Sequence, residues 1–261
     1  MLRLVADHHI VTLEADRVGL TDRGRLLCRA HPSSLSAAFA TVGTAEVAHG
    51  LTNTLRTGRA ATPRVLGMGY WDYLATHPDQ QALFDQAMVQ RAGALSLACV
   101  PVLDWPPSGT IADIAGGTGT LLAAVLRAAP AAHGVLVDQP QVLGRARPVL
   151  ARQGLATAVC CIPGTCSPRH PRLTGTCWPA CCTTGTTPTR PDPGRAAHSA
   201  TSDTRLWIFE MLLPTDATPH RATLSDVLLL LFDRARERTS GQYRDLLEHT
   251  GWGRSWPVPG R

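Results

Sequence analysis

Three glycines and two aspartates stand at spacings that suit the binding of a nucleotide. Gly116, Gly117 and Gly119 form a turn, Asp113 precedes the turn, and Asp138 lies further along the chain. Glycines let a backbone approach a ligand closely, and the helix that follows such a turn offers free backbone N–H groups. An acidic residue that ends the second strand can accept hydrogen bonds from both hydroxyls of a ribose. These residues predict a site for a nucleotide-like cofactor.

A strand–helix–strand unit is predicted to position these residues. From Thr110 the sequence has the pattern of a buried strand, followed by the glycine turn, an apolar helix at 121–129 and a second strand at 134–137 that ends in Asp138. This pattern is typical of a Rossmann-like α/β sheet. A dinucleotide-binding enzyme would also carry the second acidic residue, but Leu122 stands where its fingerprint has a third glycine. Together with Asp113 ahead of Gly117, this departure favours a methyltransferase.

The first hundred residues predict a helical region of a different kind. Residues 1–30 show a short helix, two alternating strands joined by a turn, and a helix that begins at Thr21, which is typical of the end of a winged-helix unit. Such units bind DNA or pack subunits together, and the second helix here lacks dense basic charge. Helical sequence with core-like spacing then includes Tyr70, Trp71, Tyr73, Phe84 and Met88.

The composition of the chain bears on its partners. With 44% hydrophobic residues among 261, the chain can bury a sizeable core. Its 25 Lys+Arg against 20 Asp+Glu are scattered singly, so no nucleic-acid partner is expected. No apolar stretch reaches the roughly 18 residues that span a bilayer, and the N-terminus lacks a signal-peptide pattern, so we expect a cytoplasmic location and no membrane partner. Six of the eight cysteines crowd into 160–182 without zinc-knuckle spacing, so we expect no metal.

Longer stretches resemble the S-adenosylmethionine-dependent O-methyltransferase family that includes plant caffeic acid enzymes and bacterial polyketide-tailoring enzymes. The matching segments are DIAGGTGTLLAAVLRAAP, GVLVDQPQVLGRA, WIFEMLLP, LSDVLLLL and RERTSGQYRDLLEHTGW. The resemblance implies a Rossmann-like class I methyltransferase domain at 101–261, preceded at 1–100 by a truncated winged-helix, dimerisation and substrate-lid region. It also implies a homodimer, provided that the N-terminal helices suffice. The family turn reads DVGGGTG, so we expect Ala115 to crowd the cofactor and weaken its binding.

The resemblance also implies roles for individual residues. S-adenosylmethionine would be surrounded by Asp113, Gly116, Gly117, Gly119, Asp138 and Gln139, with Asp138 on the ribose. Phe84 and Met88 would line the pocket for a small-molecule hydroxyl acceptor. Glu210 and Glu237 match two acidic residues that steer a histidine, the general base that takes the proton of the acceptor hydroxyl. That histidine is absent from the written sequence, and Thr183 stands at its position.

A segment at about 165–203 lacks the apolar periodicity of its surroundings. With GC-rich codons, a shift of one base turns CCTTGTT at 181–187 into VLHDWDD, which contains the histidine of the family. The same shift permits GDLFAP across 164–169 and ADRYLLAR across 173–180, both ordinary family sequence. We therefore hypothesise two compensating single-base slips, one near Gly164 and one shortly before Asp203. The alternative is a genuine, diverged insert.

As written, this segment is expected to remove a central strand of the sheet together with its following helix, and Thr165 would replace an aspartate near the adenine. A threonine hydroxyl takes no proton at neutral pH, so methyl transfer should fall by about 10²–10⁴. We also expect that the chain begins later and ends earlier than family members, which carry further N-terminal helices and last sheet strands.

Three functions remain open from the sequence. The first is an O-methyltransferase that acts on a hydroxyl of a small aromatic or polyketide-like metabolite and is active only if the frame that encodes the histidine is real. The second is a cofactor-binding homologue without transfer activity. The third is a winged-helix regulator that binds DNA, which would require the strong salt dependence that this charge distribution does not predict.

Overall fold

The computed structural model describes residues 1–40, 44–95, 97–164, 173–179, 200–250 and 252. Its centre is a five-stranded parallel sheet in the order β5-β4-β3-β6-β7. The strands are β3 (Ser108–Ile114), β4 (Ala131–Asp138), β5 (Val159–Pro163), β6 (Leu173–Pro179) and β7 (Ala200–Phe209). The chain moves outward from β3 through β4 to β5 and then returns to the other side of β3. The carboxyl end of β3 therefore lies at a topological switch point, where open α/β sheets bind their ligands.

Helix α9 (Thr120–Ala128) joins β3 to β4, and α10 (Pro140–Arg152) joins β4 to β5. The apolar side chains of α9 recur at helical spacing, and Leu122 and Val125 are fully buried against the sheet. Ile111 and Leu136 of the sheet belong to the same core cluster. The predicted Rossmann-like α/β architecture is confirmed, and each predicted element of the strand–helix–strand unit is present.

The expectation that the segment at 165–203 removes a central strand is wrong for Leu173–Pro179. These residues form β6, which pairs with β3 on one side and with β7 on the other. Without β6, the facing edges of the two neighbouring strands would present rows of backbone N–H and C=O groups with no strand to pair with. The segment lacks the apolar run of a central strand, but the hydrogen bonds that pair β6 with its neighbours are made by backbone atoms and do not require such a run. The expected following helix, Thr165 and Thr183 lie outside the described residues.

The N-terminal elements agree with the sequence pattern. Helix α1 (Leu2–Asp7) is followed by an antiparallel hairpin of β1 (Val11–Glu14) and β2 (Arg17–Leu20), and then by α2 (Asp22–Arg25). The side chain of Thr21 accepts a hydrogen bond from the N–H of Gly24 and caps α2, as expected from its position. The assignment of these elements to a winged-helix unit stays a prediction.

Short helices follow before the sheet begins. They are α3 (Ser36–Ala40), α4 (Thr44–Ala48), α5 (Leu51–Thr57), α6 (Thr62–Val65), α7 (Tyr70–Thr76), the longer α8 (Pro78–Leu95), and a 3-10 helix at Leu97–Val102. Among the described residues, no helix is both long and apolar enough to cross a lipid bilayer.

Two helices follow the sheet, α11 (Arg221–Asp233) and α12 (Ser240–His249). Helix α11 packs among the N-terminal helices rather than on the sheet. The N–H of Ala61 donates to the carbonyl of Leu231 at 2.7 Å, and the hydroxyl of Thr62 donates to the carbonyl of Phe232 at 2.7 Å. The helical half of the protein is therefore completed by residues from near the end of the chain.

The start of α12 allows a test of local stability. The side chain of Thr239 accepts the N–H of Gln242 at 3.2 Å, and the N–H of Thr239 donates to the side-chain oxygen of Gln242 at 3.0 Å. We expect Thr239→Ala to lower the free energy of unfolding by about 1 kcal/mol, because a backbone donor loses its partner. Urea unfolding measures the change, with the exposed Thr52→Ala as control. Equal unfolding of both variants would refute this role of the cap.

Candidate functional site

The glycine turn between β3 and α9 is an open cradle. Gly117 has a φ of +59°, and a β-carbon added there would meet no atom within 4 Å, so the turn faces open space. Gly116 has the opposite surroundings: an added β-carbon would lie 2.4 Å from the carboxyl carbon of Asp113 and 2.6 Å from Leu136. Helix α9 begins directly after Gly119, and its first N–H groups have no partner within the helix. The turn thus presents backbone donors to whatever lies above it.

The carboxylate of Asp138 is held beside this turn by backbone atoms. It accepts the N–H of Gly117 at 2.9 Å and the N–H of Gln139 at 2.7 Å. A carboxylate offers about four acceptor positions, so it can also accept hydrogen bonds from the hydroxyls of a ligand. Burial raises the pKa of Asp138, the two hydrogen bonds oppose that change, and the charges of Asp85 and Arg145 raise and lower it respectively.

The carboxyl group of Asp113 is buried beneath the turn. By hydrogen-bond geometry, neither of its oxygens has a partner among the described residues. Burial, with a further contribution from the charge of Asp138, raises the pKa of Asp113 to about 7, while the nearby backbone N–H of Leu122 opposes the shift. A buried polar group without a partner costs free energy, so this position suits a protonated carboxyl group.

Ala115 is strained where the related family has glycine. Its φ is +56°, and its N–H donates to the carbonyl of Val137 at 2.7 Å, which fixes the chain in this conformation. In the left-handed region the β-carbon crowds the following carbonyl oxygen, at a cost of about 1–2 kcal/mol. The departure noted in the sequence therefore strains the backbone of the cradle itself.

The two acidic residues assigned by resemblance are brought to neighbouring positions. Glu237 is buried, and the hydroxyl of Ser225 donates to its carboxylate at 2.5 Å. An isolated parallel bridge joins Leu212 to Arg238, so the backbone that follows Glu210 runs beside the backbone that follows Glu237. Thr183, which stands at the position of the family's general base, lies outside the described residues. The structure therefore shows the positions of Glu210 and Glu237 only.

The two predicted acceptor contacts lie one turn apart on α8. The ring of Phe84 packs edge-on against Trp71, with centroids 5.6 Å apart, and against Tyr70, at 5.9 Å. Phe84 and Met88 are both partly buried. Burial, aided by Tyr73, raises the pKa of Tyr70 to about 12, so its phenol stays protonated near neutral pH. The two predicted acceptor residues thus lie at a packed aromatic cluster.

Sequence reasoning missed an ion pair close to these residues. Arg145 of α10 lies 2.5 Å from Asp85 of α8, and the two charges act on Asp138. The partners are separated by 60 positions in the chain, so no local spacing could have indicated the contact. The side-chain support of Glu237 by Ser225 was missed for a similar reason, since it depends on how α11 packs.

A second concave surface lies away from the glycine turn. This cleft, of about 430 Å³, is lined by His49, Gly50, Thr52, Asn53, Arg56, Arg64 and Val65. It shares no residue with the candidate site. Within the described ranges, no group of three or more His, Cys, Asp or Glu side chains is arranged to hold a metal ion.

The chain is similar to known methyltransferases. The sequence profile of the O-methyltransferase domain matches residues 48–169. A phenazine O-methyltransferase from Lysobacter antibioticus is 33% identical over 162 residues, covering 59% of this chain and 46% of the relative. A mitomycin biosynthesis 6-O-methyltransferase from Streptomyces lavendulae is 30% identical over 228 residues, covering 77% of this chain and 58% of the relative. The chain thus spans about half the length of these curated relatives.

A solved structure supports the fold. The neocarzinostatin O-methyltransferase NcsB1, in complex with S-adenosylmethionine and 2-hydroxy-5-methyl naphthoic acid, superposes with a TM-score of 0.76. The match covers 96% of this chain and 77% of that one, at 22% identity. At this level of identity, the likeness shows the shared fold alone.

The strain at Ala115 predicts a stabilising substitution. We expect Ala115→Gly to raise the free energy of unfolding by about 0.5–1 kcal/mol, since relief of the left-handed strain outweighs the extra freedom of glycine in the unfolded chain. Ala15, with a φ of 45° in the β1–β2 turn, is a matched control, and Ala15→Gly should give a similar gain. Chemical unfolding measures both variants. A loss of stability in Ala115→Gly would contradict the strain.

The raised pKa of Asp113 predicts a dependence of stability on pH. Between pH 3.8, the ordinary pKa of an aspartate, and the raised pKa of about 7, the folded chain holds a proton that the unfolded chain has released, so stability falls as pH rises through this window. The loss is about 1.4 kcal/mol for each unit by which the pKa is raised.

Asp113→Asn removes this titration. Its free energy of unfolding relative to that of the wild type should therefore rise across the same pH window and level off above it. Urea unfolding in a series of buffers measures the profile, and the exposed Asp16→Asn is the control. Parallel profiles of wild type and Asp113→Asn would show that the carboxyl is not buried in this way.

Proposed function

We propose that this chain, whose residues 48–169 match the O-methyltransferase domain, binds S-adenosylmethionine to serve methyl transfer to a hydroxyl of a small aromatic or polyketide-like metabolite. The observation that carries this proposal is the carboxylate of Asp138, held by the N–H groups of Gly117 and Gln139 beside an open turn. Cofactor binding and methyl transfer are separate capacities. The described residues bear mainly on the first.

The residues of the cradle fit this cofactor. The remaining acceptor positions of Asp138 suit the two hydroxyls of a ribose, and the open space above Gly117 admits a ligand close to the backbone. The carboxyl group of Asp113 is buried beneath the same cradle. When bound, S-adenosylmethionine supplies a methyl group on a positively charged sulfonium.

The chain's own groups would then orient the acceptor and move its proton. Phe84 and Met88 would hold a flat acceptor, because in-line displacement gains much of its rate from positioning. Glu210 and Glu237 would fix the general base in the frame that encodes the histidine. In the written frame, Thr183 cannot perform that step. The names of the relatives, which refer to phenazine and mitomycin, support an acceptor of this class.

A homodimer is part of this proposal. The first elements of the chain expose large apolar side chains that a partner surface would cover. These residues are Leu2, Leu4, Leu13, Val18 and Leu20. Region 1–100 would then serve in dimerisation and as a lid over the acceptor, and 101–261 would hold the cofactor.

A second candidate function is cofactor binding without methyl transfer. It is favoured by one feature of the written sequence, the threonine at position 183 where the family base would stand. Under this interpretation the cradle still binds the cofactor, and Glu210 and Glu237 have a structural role only.

Binding of S-adenosylhomocysteine by isothermal titration calorimetry tests the cofactor site. We expect the written chain to bind, and Asp138→Asn to weaken binding by about 10–100-fold, because a hydrogen bond to a charged group contributes roughly 1.5–3 kcal/mol. The exposed Asp245→Asn should leave affinity unchanged. If the wild type shows no binding, or if Asp138→Asn binds as tightly as the wild type, this assignment fails.

The question of the reading frame is tested by sequencing codons 155–210 and by expressing the chain with VLHDWDD across 181–187 and the shifted flanking sequence. We expect this version to methylate catechol-type probes at least about 10²-fold faster than the written chain, because it regains a general base. Replacing its new histidine with alanine should abolish the gain. A corrected chain that binds cofactor yet transfers no faster would support the second candidate.

A further inference from the structure

One ion pair joins the predicted acceptor helix α8 to the helix α10 that follows the cofactor carboxylate. The Nε of Arg145 lies 2.5 Å from Asp85, whose second oxygen accepts the side-chain amide of Gln81 at 2.8 Å. Arg145 is also fixed on its own helix, since it donates to the carbonyl of Gln141 at 3.1 Å. Both partners are thus held by their own helix as well as by each other.

The burial of this pair distinguishes it from other ion pairs in the described part of the chain. The side chains of Arg145 and Asp85 are 34% and 14% exposed, whereas those of Arg205 and Asp104 are 59% and 88% exposed. A further nitrogen of Arg145, Nη2, is buried with no hydrogen-bond partner among the described residues, so part of the guanidinium is shielded from solvent. An enclosed charge pair is costly to separate, whereas an exposed pair contributes little.

The pair lies between the two halves of the candidate site. Asp85 directly follows Phe84 on α8, and α10 begins two residues after Asp138. The charges of both partners also reach the carboxylate of Asp138, one raising and one lowering its pKa. The pair therefore links α10, the helix that follows Asp138, to α8.

We propose that Asp85 and Arg145 are positioning residues that couple ligand binding at Asp138 to the placement of the acceptor helix α8. The proposal rests on the proposed function, because it requires a cofactor at Asp138. A ligand that restrains the end of β4 restrains α10, and the ion pair passes this restraint to Phe84 and its neighbours. Such coupling is reciprocal, so an acceptor seated on α8 would in turn favour the cofactor.

Hydrogen exchange measured by mass spectrometry, with and without S-adenosylhomocysteine, tests this coupling. In the wild type we expect the ligand to slow exchange at 116–138 and, by about fivefold, at 78–90. In Asp85→Asn/Arg145→Gln the slowing at 116–138 should remain while the slowing at 78–90 is lost. The control Asp104→Asn/Arg205→Gln removes an exposed ion pair and should behave as the wild type.

The outcomes separate the coupling from the cofactor site. Slowing at 116–138 alone in the wild type, or equal slowing at 78–90 in the wild type and the double variant, overturns the coupling. No slowing anywhere in the wild type is the distinct result expected if cofactor binding itself fails, and it overturns both. Should the double variant unfold, Arg145→Gln replaces it. This variant removes the positive charge that faces Asp85, and slowing equal to that of the wild type overturns the coupling.

Discussion

The hydrogen bond from the N–H of Gly117 to the carboxylate of Asp138 is the constraint on which the candidate site depends. It joins the turn after β3 to the end of β4, so the carboxyl ends of these two adjacent strands are held together. Helix α9 starts on one side of this hydrogen bond and α10 on the other. The cradle, the acidic acceptor and the ion pair to α8 all take their positions from it. This arrangement has a local cost in free energy. It buries the carboxyl group of Asp113 beneath the turn and holds Ala115 in a strained conformation.

The sequence was informative where the physics is local. The strand–helix–strand unit, the N-terminal hairpin and the start of α2 at Thr21 follow from periodicity, glycine turns and helix caps, which act over a few residues. Two of the largest departures are non-local. Strand β6 forms because the edges of β3 and β7 require a partner, although its own residues lack the apolar run of a central strand. The pair of Asp85 with Arg145 depends on how two distant helices meet.

The candidate site divides in the same way. The turn that brings the glycines beside Asp138 could be predicted, since it depends on local geometry, whereas the roles of these residues toward a cofactor stay a prediction. The acidic half of the site was found through resemblance, and only the structure shows that Ser225 supports Glu237. The strain at Ala115 could not be read from residue type, because an alanine is unremarkable until its φ is known. Under the proposed function, binding and catalysis are distinct demands on this chain, and the described residues bear mainly on binding.

The packing of α11 among α4, α5 and α6 has a consequence for synthesis. Ala61 and Thr62 receive their partners Leu231 and Phe232 only after most of the chain has been translated. During synthesis the apolar face of the N-terminal helices therefore stays uncovered until α11 has been translated. Contacts of such long sequence separation also form slowly. A shift of frame that was never reversed would remove α11 from the product. It would leave the front half of the protein unable to finish folding, well before any question of catalysis arose.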